Sequence, residues 1–298
     1  MTYKYFLLGL VALSSTIFFS CNKENNDMKK NNYIMSEKCP IKGVPQKVVS
    51  VSPAVTEIIF DLDCGDRLIG RTDFCTYPPQ VKKIKSIGGI NNANLEMIIS
   101  MRPDLVITSS IFTKKMFQTI EAAGIPIISF KERNSIDGMY DVITMLGNIL
   151  DKKDKANEII NNSKQRLQKI KAKRENINKT KGLKTLPKIY YVVGFGSSGD
   201  FSAGKDTYIN EIITLAGGDN IAKNSINWSF STEELFAQQP DYIFVRKEDS
   251  ASFVNTHPYT ELKAVKNKKV YGIDSGLMDI QTPRSIDAIE FISKVISF

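Results

Sequence analysis

Residues 95–107 read LEMIISMRPDLVI and residues 232–244 read TEELFAQQPDYIF, so one pattern occurs twice in the chain. In each copy an acidic residue stands seven positions before a Pro-Asp pair, and a β-rich apolar run follows the pair. Proline ends a helix because it lacks the backbone N–H and disfavours helical geometry in the residue before it. Each copy therefore predicts a short helix, a break and a buried strand. We predict an α/β protein with two related lobes.

A second repeat extends the two predicted lobes. A β-rich run followed by a helical pattern occurs at residues 47–62 and again at residues 188–215. Between them, residues 139–179 contain no proline and carry apolar residues at three- and four-residue intervals. This spacing predicts a long amphipathic helix with a break near Asp151, which would act as a strut between the lobes. The apolar spacing is too irregular for coiled-coil heptads, so we predict a monomer.

The N-terminus has the features of an exported protein. Lys4 precedes an apolar run, 6–19, of about 14 residues, which is shorter than the ~20 that cross a membrane. The small residue before Cys21 resembles a bacterial lipobox, in which the cysteine carries the lipid, although Phe18 departs from the usual aliphatic residue. An ordinary cleaved signal is the alternative. The predicted segments are a lipoprotein signal peptide (1–20), a flexible tether (21–44), an N-terminal lobe (45–138), a linking backbone helix (139–180) and a C-terminal lobe (181–298).

The composition restricts the classes of partner. The net charge is +8, but the lysines are spread along the chain and their dense cluster at 164–184 falls on a predicted helix. We interpret the cluster as a solvated helical face and expect no nucleic-acid partner. Cys21 is assigned to the lipobox. Of the other cysteines, Cys64 and Cys75 either form a disulfide or are free buried thiols. With one histidine, His257, and no Cys-x-x-Cys, no metal site is predicted.

Two glycine-rich segments approach enzyme motifs without completing them. GFGSSG at 194–199 has the spacing of a dinucleotide fingerprint, but no helix is predicted to start at its third glycine. The segment 199–206 approaches a phosphate-binding loop, but Asp206 replaces the Ser or Thr that would bind magnesium. The one imidazole, His257, has no evident partner for a catalytic triad. We predict no catalytic set and no cofactor, with an exported α/β enzyme as the alternative class.

The remaining motifs are SPAVTE (52–57), TDFCTYPP (72–79), GG (88–89) with NLE (94–96), PDLVI (103–107) and AGGDN (216–220). Their order resembles that of the cobalamin- and iron-siderophore-type periplasmic binding proteins from Val48 to the C-terminus. The resemblance implies two Rossmann-like lobes joined by one long rigid backbone helix, with the ligand in the cleft between the lobes. It also implies delivery of that ligand to the permease dimer of an ABC importer by a protein anchored outside the cytoplasmic membrane.

Aromatic residues in the predicted loops are the candidate ligand contacts. Trp228 is the only tryptophan and lies in the polar loop 224–231, while Phe195 lies in the glycine-rich loop that would form one lip of the cleft. A flat, largely apolar macrocycle would use such aromatics. The resemblance also places Phe74 and Tyr77 at the cleft, and its Tyr-Pro-Pro and Asn-Leu-Glu segments are most similar to vitamin B12 binders. The ligand is therefore predicted to be a corrinoid.

Other residues leave the ligand class open. Ile90 stands where a B12 binder can carry an aromatic beside the corrin, so a ferric siderophore or haem is the alternative ligand. Arg284 either meets an anionic ligand group or faces solvent. The predicted ligand-binding residues are Pro53, Phe74, Tyr77, Ile90, Phe195, Trp228 and Arg284.

Glu96 and Glu233 occupy equivalent places in the repeated segments. On the residues alone, each is a first-turn acid after a good N-cap, Asn94 or Ser231, and gains ~0.3–1 kcal/mol from the helix dipole. The resemblance implies a second role, because members of the family use one glutamate on each lobe to dock onto arginines of the permease. Glu234 is the alternative in the C-terminal lobe, although it occupies the capping-box position after Ser231.

Overall fold

The N-terminal lobe is built on a five-stranded sheet. Its elements are β1 (Tyr33–Met35), β2 (Val48–Ser50), α1 (Pro53–Asp61), β3 (Leu68–Arg71), α2 (Leu95–Ser100), β4 (Leu105–Ser109), α3 (Lys114–Ala122) and β5 (Ile127–Phe130). The strand order is β1-β5-β4-β2-β3, in which β1 is antiparallel and the other strands are parallel. This computed structural model describes residues 33–109, 111–131, 133–182, 185–197, 199–226 and 228–297. The predicted signal peptide and Cys21 lie outside these residues.

Two helices follow the N-terminal lobe. Helix α4 spans Ile136–Ile149 and α5 spans Lys153–Lys181, and Asp151 between them has a φ of +56°. A Cβ atom at Gly147 would lie 2.5 Å from the Cβ of Ala156. The end of α4 therefore approaches the start of α5 more closely than a side chain at Gly147 would allow. With 29 residues, α5 is about 44 Å long.

The C-terminal lobe has a four-stranded parallel sheet. Its elements are β6 (Lys188–Val192), β7 (Asp200–Phe201), α6 (Tyr208–Leu215), β8 (Asp219–Asn220), β9 (Ser229–Phe230), α7 (Thr232–Gln238), β10 (Tyr242–Arg246), α8 (Ser250–Asn255), α9 (Lys263–Lys266), β11 (Val270–Ile273), α10 (Ser275–Met278) and α11 (Ser285–Val295). The strand order is β11-β10-β6-β8, and β7 pairs separately with β9 in an antiparallel ribbon.

The Pro-Asp repeat has the same structure in both lobes. Helix α2 leads into β4 and helix α7 leads into β10, and in both copies the residue before the proline has a positive φ. A carboxylate oxygen of Asp104 accepts a hydrogen bond from the backbone N–H of Lys47 at 2.9 Å, just before the neighbouring strand β2. A carboxylate oxygen of Asp241 accepts one from Lys188 at 2.8 Å, at the start of β6. The prediction of two related α/β lobes is confirmed.

One hydrophobic core runs through both lobes and both connecting helices. Ile107 of β4, Ile143 of α4, Ile160 of α5 and Ile212 of α6 belong to the same cluster of buried side chains. Separating the lobes would expose this apolar surface to water, at a free-energy cost of ~25 cal/mol for each Å² exposed. This continuous packing fits the rigid connection that the sequence predicts.

One strand of the N-terminal lobe lies before the predicted start of that lobe. Strand β1 falls within the predicted tether, 21–44, yet it pairs with β5 along the sheet edge. The backbone N–H of Ser36 donates to the carbonyl of Ile127 at 2.9 Å, and this edge pairing does not depend on an apolar pattern. The predicted helix at 139–180 is divided between α4 and α5 at the break near Asp151. Within the described residues, no helix is both long and apolar enough to span a membrane.

Candidate functional site

A cleft of about 510 Å³ opens between the two lobes. The N-terminal lobe contributes residues from α1 and from the loops after β3, which are Pro53, Glu57, Phe74, Thr76, Tyr77 and Ile90. The C-terminal lobe contributes residues from α10, α11 and their connections, which are Asp274, Ser275, Gly276, Asp279, Ile280 and Arg284. A second depression adjoins the cleft, because it shares Phe74 and Ile90 and continues to Asn91, Asn92 and Ile111.

Two exposed aromatic rings form the N-terminal wall of the cleft. Phe74 is 59% exposed and Tyr77 is 40% exposed, on the loop between β3 and the 3-10 turn Pro79–Lys83. The thiol of Cys75, between the two aromatics, is buried within 3.1 Å of the Thr56 hydroxyl and anchors the loop to α1. Large apolar side chains exposed together in a concave site are typical of ligand-binding surfaces.

An ion pair crosses the cleft floor from one lobe to the other. Nη1 of Arg284, at the N-cap of α11, lies 3.1 Å and 3.2 Å from the two carboxylate oxygens of Glu57 on α1. The side chain of Glu57 is 3% exposed and that of Arg284 is 17% exposed. The guanidinium carbon of Arg284 also lies 3.6 Å from the centre of the Tyr77 ring, in a cation–π contact. Arg284 therefore contacts the N-terminal lobe through both its charge and its planar face.

A second carboxylate on the cleft floor, Asp279, pairs with an arginine that lies outside the cleft lining. Asp279 accepts a hydrogen bond from Nη2 of Arg246 at 2.8 Å and another from the hydroxyl of Tyr191 at 3.1 Å. The remaining floor acid, Asp274, lies 3.9 Å from Arg284 and caps α10 by accepting from the N–H of Gly276 at 2.7 Å. The floor thus presents carboxylates whose charge is largely balanced by arginines of the protein.

Burial raises the pKa values of three acids at or near the cleft floor, Glu57, Asp61 and Asp279. Burial raises the pKa of Glu57, and the charge of Arg284 opposes this rise. Burial likewise raises the pKa of Asp61, one turn further along α1, to about 6, again opposed by Arg284. It also raises the pKa of Asp279, where Arg246 has the opposing effect. The charges of Arg284 and Arg246 therefore favour the ionised forms of these three acids.

The structure brings five of the predicted ligand residues together in the cleft and leaves two outside its lining. The five are Pro53, Phe74, Tyr77, Ile90 and Arg284. Phe195 packs edge-on against Phe253 at 5.1 Å and Tyr259 at 5.6 Å, measured between ring centroids. Trp228 is 44% exposed and lies beside the β7–β9 ribbon, where its carbonyl accepts from the N–H of Ser202 at 2.8 Å. A ligand-binding role for each of the seven stays a prediction.

Sequence reasoning missed the acids of the cleft floor. Asp274 follows β11 directly, and the carboxyl end of a parallel strand is where α/β lobes place binding groups, so its position was a usable signal. The position of Glu57 in the cleft could not be predicted in this way, because Glu57 lies within helix α1 and not directly after a strand. Its partner Arg284 is 227 positions away in the chain.

The glycine-rich segment does not have the structure of a nucleotide site. Strand β6 ends at Val192 and β7 begins at Asp200, and within the described residues the next helix, α6, begins only at Tyr208. A dinucleotide fingerprint requires a helix that starts at the loop. In the described part of the chain, no group of three or more His, Cys, Asp or Glu is arranged to hold a metal ion. Cys64 and Cys75 are free buried thiols, so the structure contains no disulfide between them.

Glu96 and Glu233 stand at equivalent, exposed positions in the first turns of α2 and α7. Asn94 caps α2 by accepting from the N–H of Met97 at 2.9 Å, and Ser231 caps α7 in the same way at 3.0 Å. Because the caps are made by these neighbours, neither glutamate is needed to cap its helix. The docking role stays a prediction.

Comparison with known proteins agrees with the two-lobed architecture. Residues 48–277 match the family described as periplasmic binding protein. An uncharacterized ABC transporter substrate-binding lipoprotein of Bacillus subtilis (strain 168), YvrC, is 30% identical over 261 residues, 86% of this chain and 81% of that protein. A vitamin B12-binding protein of Vibrio campbellii is 25% identical over 263 residues, 86% of this chain and 91% of that protein.

Solved structures show the same fold. A periplasmic heme-binding protein from Pseudomonas aeruginosa superposes with a TM-score of 0.76 at 20% identity, covering 85% of this chain and 93% of that one. The family match extends over both lobes and the helices between them. The chain therefore belongs to the periplasmic binding protein family, as its motifs predicted, and is a substrate-binding protein of the ABC-transporter type.

Proposed function

We propose that the protein captures a corrinoid in the cleft and delivers it to the permease of an ABC importer. The observation that carries the proposal is the pairing of an exposed aromatic wall, Phe74 and Tyr77, with a polar floor on the opposite lobe. A corrin offers a flat apolar face for the rings and a rim of amides that can bond to the floor. The relation to a vitamin B12-binding protein over 86% of the chain supports the same ligand class.

The charge of the floor favours a neutral rim over an anionic one. Three carboxylates, Glu57, Asp274 and Asp279, line the cleft, and two arginines, Arg284 and Arg246, pair with them. Carboxylates accept hydrogen bonds from amide N–H groups, whereas they repel further carboxylates. Corrinoid amides therefore suit this floor better than the propionates of haem.

Haem is the second candidate, and Tyr77 is the observation that favours it. A tyrosine phenol can hold haem iron, and the Tyr77 ring is exposed in the cleft. The ring nevertheless lies beneath the guanidinium of Arg284. If Tyr77 bound haem iron, its phenol oxygen would have to reach the iron while its ring stays in contact with Arg284.

Calorimetry with the purified mature protein tests the ligand class. We expect cyanocobalamin to release heat at one site, and haemin and a ferric hydroxamate siderophore to bind at least about tenfold more weakly. Emission from the single tryptophan, Trp228, should fall during the cobalamin titration, because corrins absorb where tryptophan emits. A protein that binds haemin or the siderophore but no corrinoid would move the assignment to that ligand.

Two phenylalanine variants separate binding in the cleft from general effects. Phe74→Ala removes an exposed ring of the cleft wall and should weaken cobalamin binding about tenfold, from the loss of apolar contact with the corrin. Phe291→Ala is the matched control, because Phe291 is also partly exposed but lies on α11 against Phe244, outside the cleft lining. Equal losses in both variants would argue against the cleft as the binding site.

We further propose that a lipid on Cys21 anchors the protein at the outer side of the cytoplasmic membrane or at the cell surface. The apolar run 6–19 and the small residue before Cys21 support this, as does the relation to a substrate-binding lipoprotein. Cys21→Ser should release the protein from the membrane fraction and abolish its labelling with radioactive palmitate. Retention and labelling of this variant would exclude Cys21 as the lipid site.

A further inference from the structure

The Glu57–Arg284 ion pair occupies the only guanidinium that lines the cleft among the described residues. Its donor Nη1 faces both oxygens of Glu57, and Nη2 lies 3.9 Å from Asp274. One planar face rests on Tyr77. Because Glu57 is almost completely buried, its carboxylate is held beside Arg284 by packing and has little water to replace the arginine.

The charge balance changes if this carboxylate is removed. With Glu57 ionised, the cleft floor carries three carboxylates against Arg284 and the supporting Arg246, which leaves one negative charge in excess. Without Glu57 the excess is zero, and Nη1 of Arg284 loses both of its carboxylate oxygens, while Nη2 keeps the more distant Asp274 at 3.9 Å. An unpaired guanidinium binds carboxylates strongly, because its planar fork matches two carboxylate oxygens.

We propose that Glu57 is a specificity-determining residue that occupies Arg284 and thereby makes the cleft reject ligands with anionic rims. The inference deepens the proposed function, since it assigns the choice between amide-bearing and carboxylate-bearing macrocycles to one residue. Arg284 then stacks on the Tyr77 ring and links the two lobes through Glu57. It does not bind anionic ligands while Glu57 is present.

The test compares haemin and cyanocobalamin binding to the wild type and to Glu57→Gln. Gln keeps the size of the side chain and a carbonyl acceptor for Arg284 but removes the charge. We expect the ratio of the haemin to the cobalamin association constant to rise about tenfold in Glu57→Gln, because the neutral amide no longer balances the charge of Arg284, which then attracts the haem propionates. An unchanged or lower ratio would overturn the proposal.

Two further variants assign the effect to Arg284. Asp287→Asn is the matched charge control, because Asp287 also pairs with an arginine, Arg166 of α5 at 2.6 Å, but neither residue belongs to the cleft lining. Its ratio should equal that of the wild type. In the double variant Glu57→Gln/Arg284→Gln the gain in haemin binding should disappear. A gain that persists without Arg284 would contradict the mechanism.

A measurement on the unmodified protein tests whether the cleft rejects anionic rims even if Glu57→Gln does not fold. Haemin and its dimethyl ester have the same ring, but the ester lacks the two negative charges. The wild type should bind the ester about tenfold more tightly than haemin, and equal or weaker binding of the ester would overturn the proposal. Failure of cobalamin binding alone would overturn the corrinoid function, while the haemin comparisons would still decide the role of Glu57.

Discussion

Cells that depend on the double variant Glu96→Gln/Glu233→Gln are expected to lose at least about nine-tenths of their corrinoid uptake. Both carboxylates are exposed at the start of equivalent helices, one on each lobe, and neither forms an ion pair within the described residues. Exposed, unpaired acids on two related lobes suit a permease that presents one basic site to each lobe. If the two glutamates dock onto arginines of the permease, as predicted, losing both charges removes the electrostatic attraction that steers and holds the complex. Uptake of labelled cobalamin is the measurement.

The same variant should keep its fold and its ligand. Glu96 and Glu233 lie outside the cleft lining, and the helices keep their caps at Asn94 and Ser231. Each substitution removes only ~0.3–1 kcal/mol of helix-dipole stabilisation. The difference in uptake between wild type and variant should shrink as ionic strength rises, because salt screens the charges that the wild type uses. Normal uptake by the double variant would show that both residues are only first-turn acids.

Glu234 provides the matched control for the docking assignment. It is exposed on the same turn as Glu233, but its carboxylate accepts a hydrogen bond from the side-chain amide of Gln238 at 3.0 Å. Cells with Glu96→Gln/Glu234→Gln should therefore import more than those with Glu96→Gln/Glu233→Gln. The opposite order would assign the docking role in the C-terminal lobe to Glu234.

The sequence was sufficient for the fold wherever a local pattern repeats. The Pro-Asp segments predicted a helix, a break and a strand in each lobe because proline acts on its immediate neighbours, and the aspartates then bond to the next strand in the same way in both lobes. Strand β1 was missed because three residues at a sheet edge need only backbone hydrogen bonds from β5. Composition cannot indicate such pairing.

The candidate site was less accessible to sequence reasoning because its contacts are long-range. The pattern around Phe195 places it in a loop after a strand, but it does not say that Phe253 and Tyr259 will pack against it. Arg284 was recognised as a candidate without its partner Glu57, which lies in the other lobe. Local spacing indicates which residues share an element, whereas the pairing of two lobes decides which residues share a cleft.

Arg284→Ala is expected to lower the free energy of unfolding by about 3 kcal/mol at pH 7.5, because it leaves Glu57 charged, buried and unpaired. The size of this loss should depend on pH. Burial already raises the pKa of Glu57 and raises that of Asp61 to about 6, and Arg284 opposes both shifts, so its removal moves both values further upward. A carboxyl whose pKa is higher in the folded state than in the unfolded state destabilises the fold above that pKa and ceases to do so once it is protonated.

The difference between wild type and Arg284→Ala should therefore shrink from pH 7.5 to pH 5, as Glu57 and Asp61 take up protons in the folded variant. Urea unfolding at the two pH values measures it. Arg166→Ala is the control, since its partners on α11 stay in contact with solvent and its loss should be about 1 kcal/mol and similar at both pH values. A loss for Arg284→Ala that is equal at both pH values, or larger at pH 5, would mean that Glu57 is not the group left unpaired. The contact between Glu57 and Arg284 would then not account for the stability that Arg284 contributes.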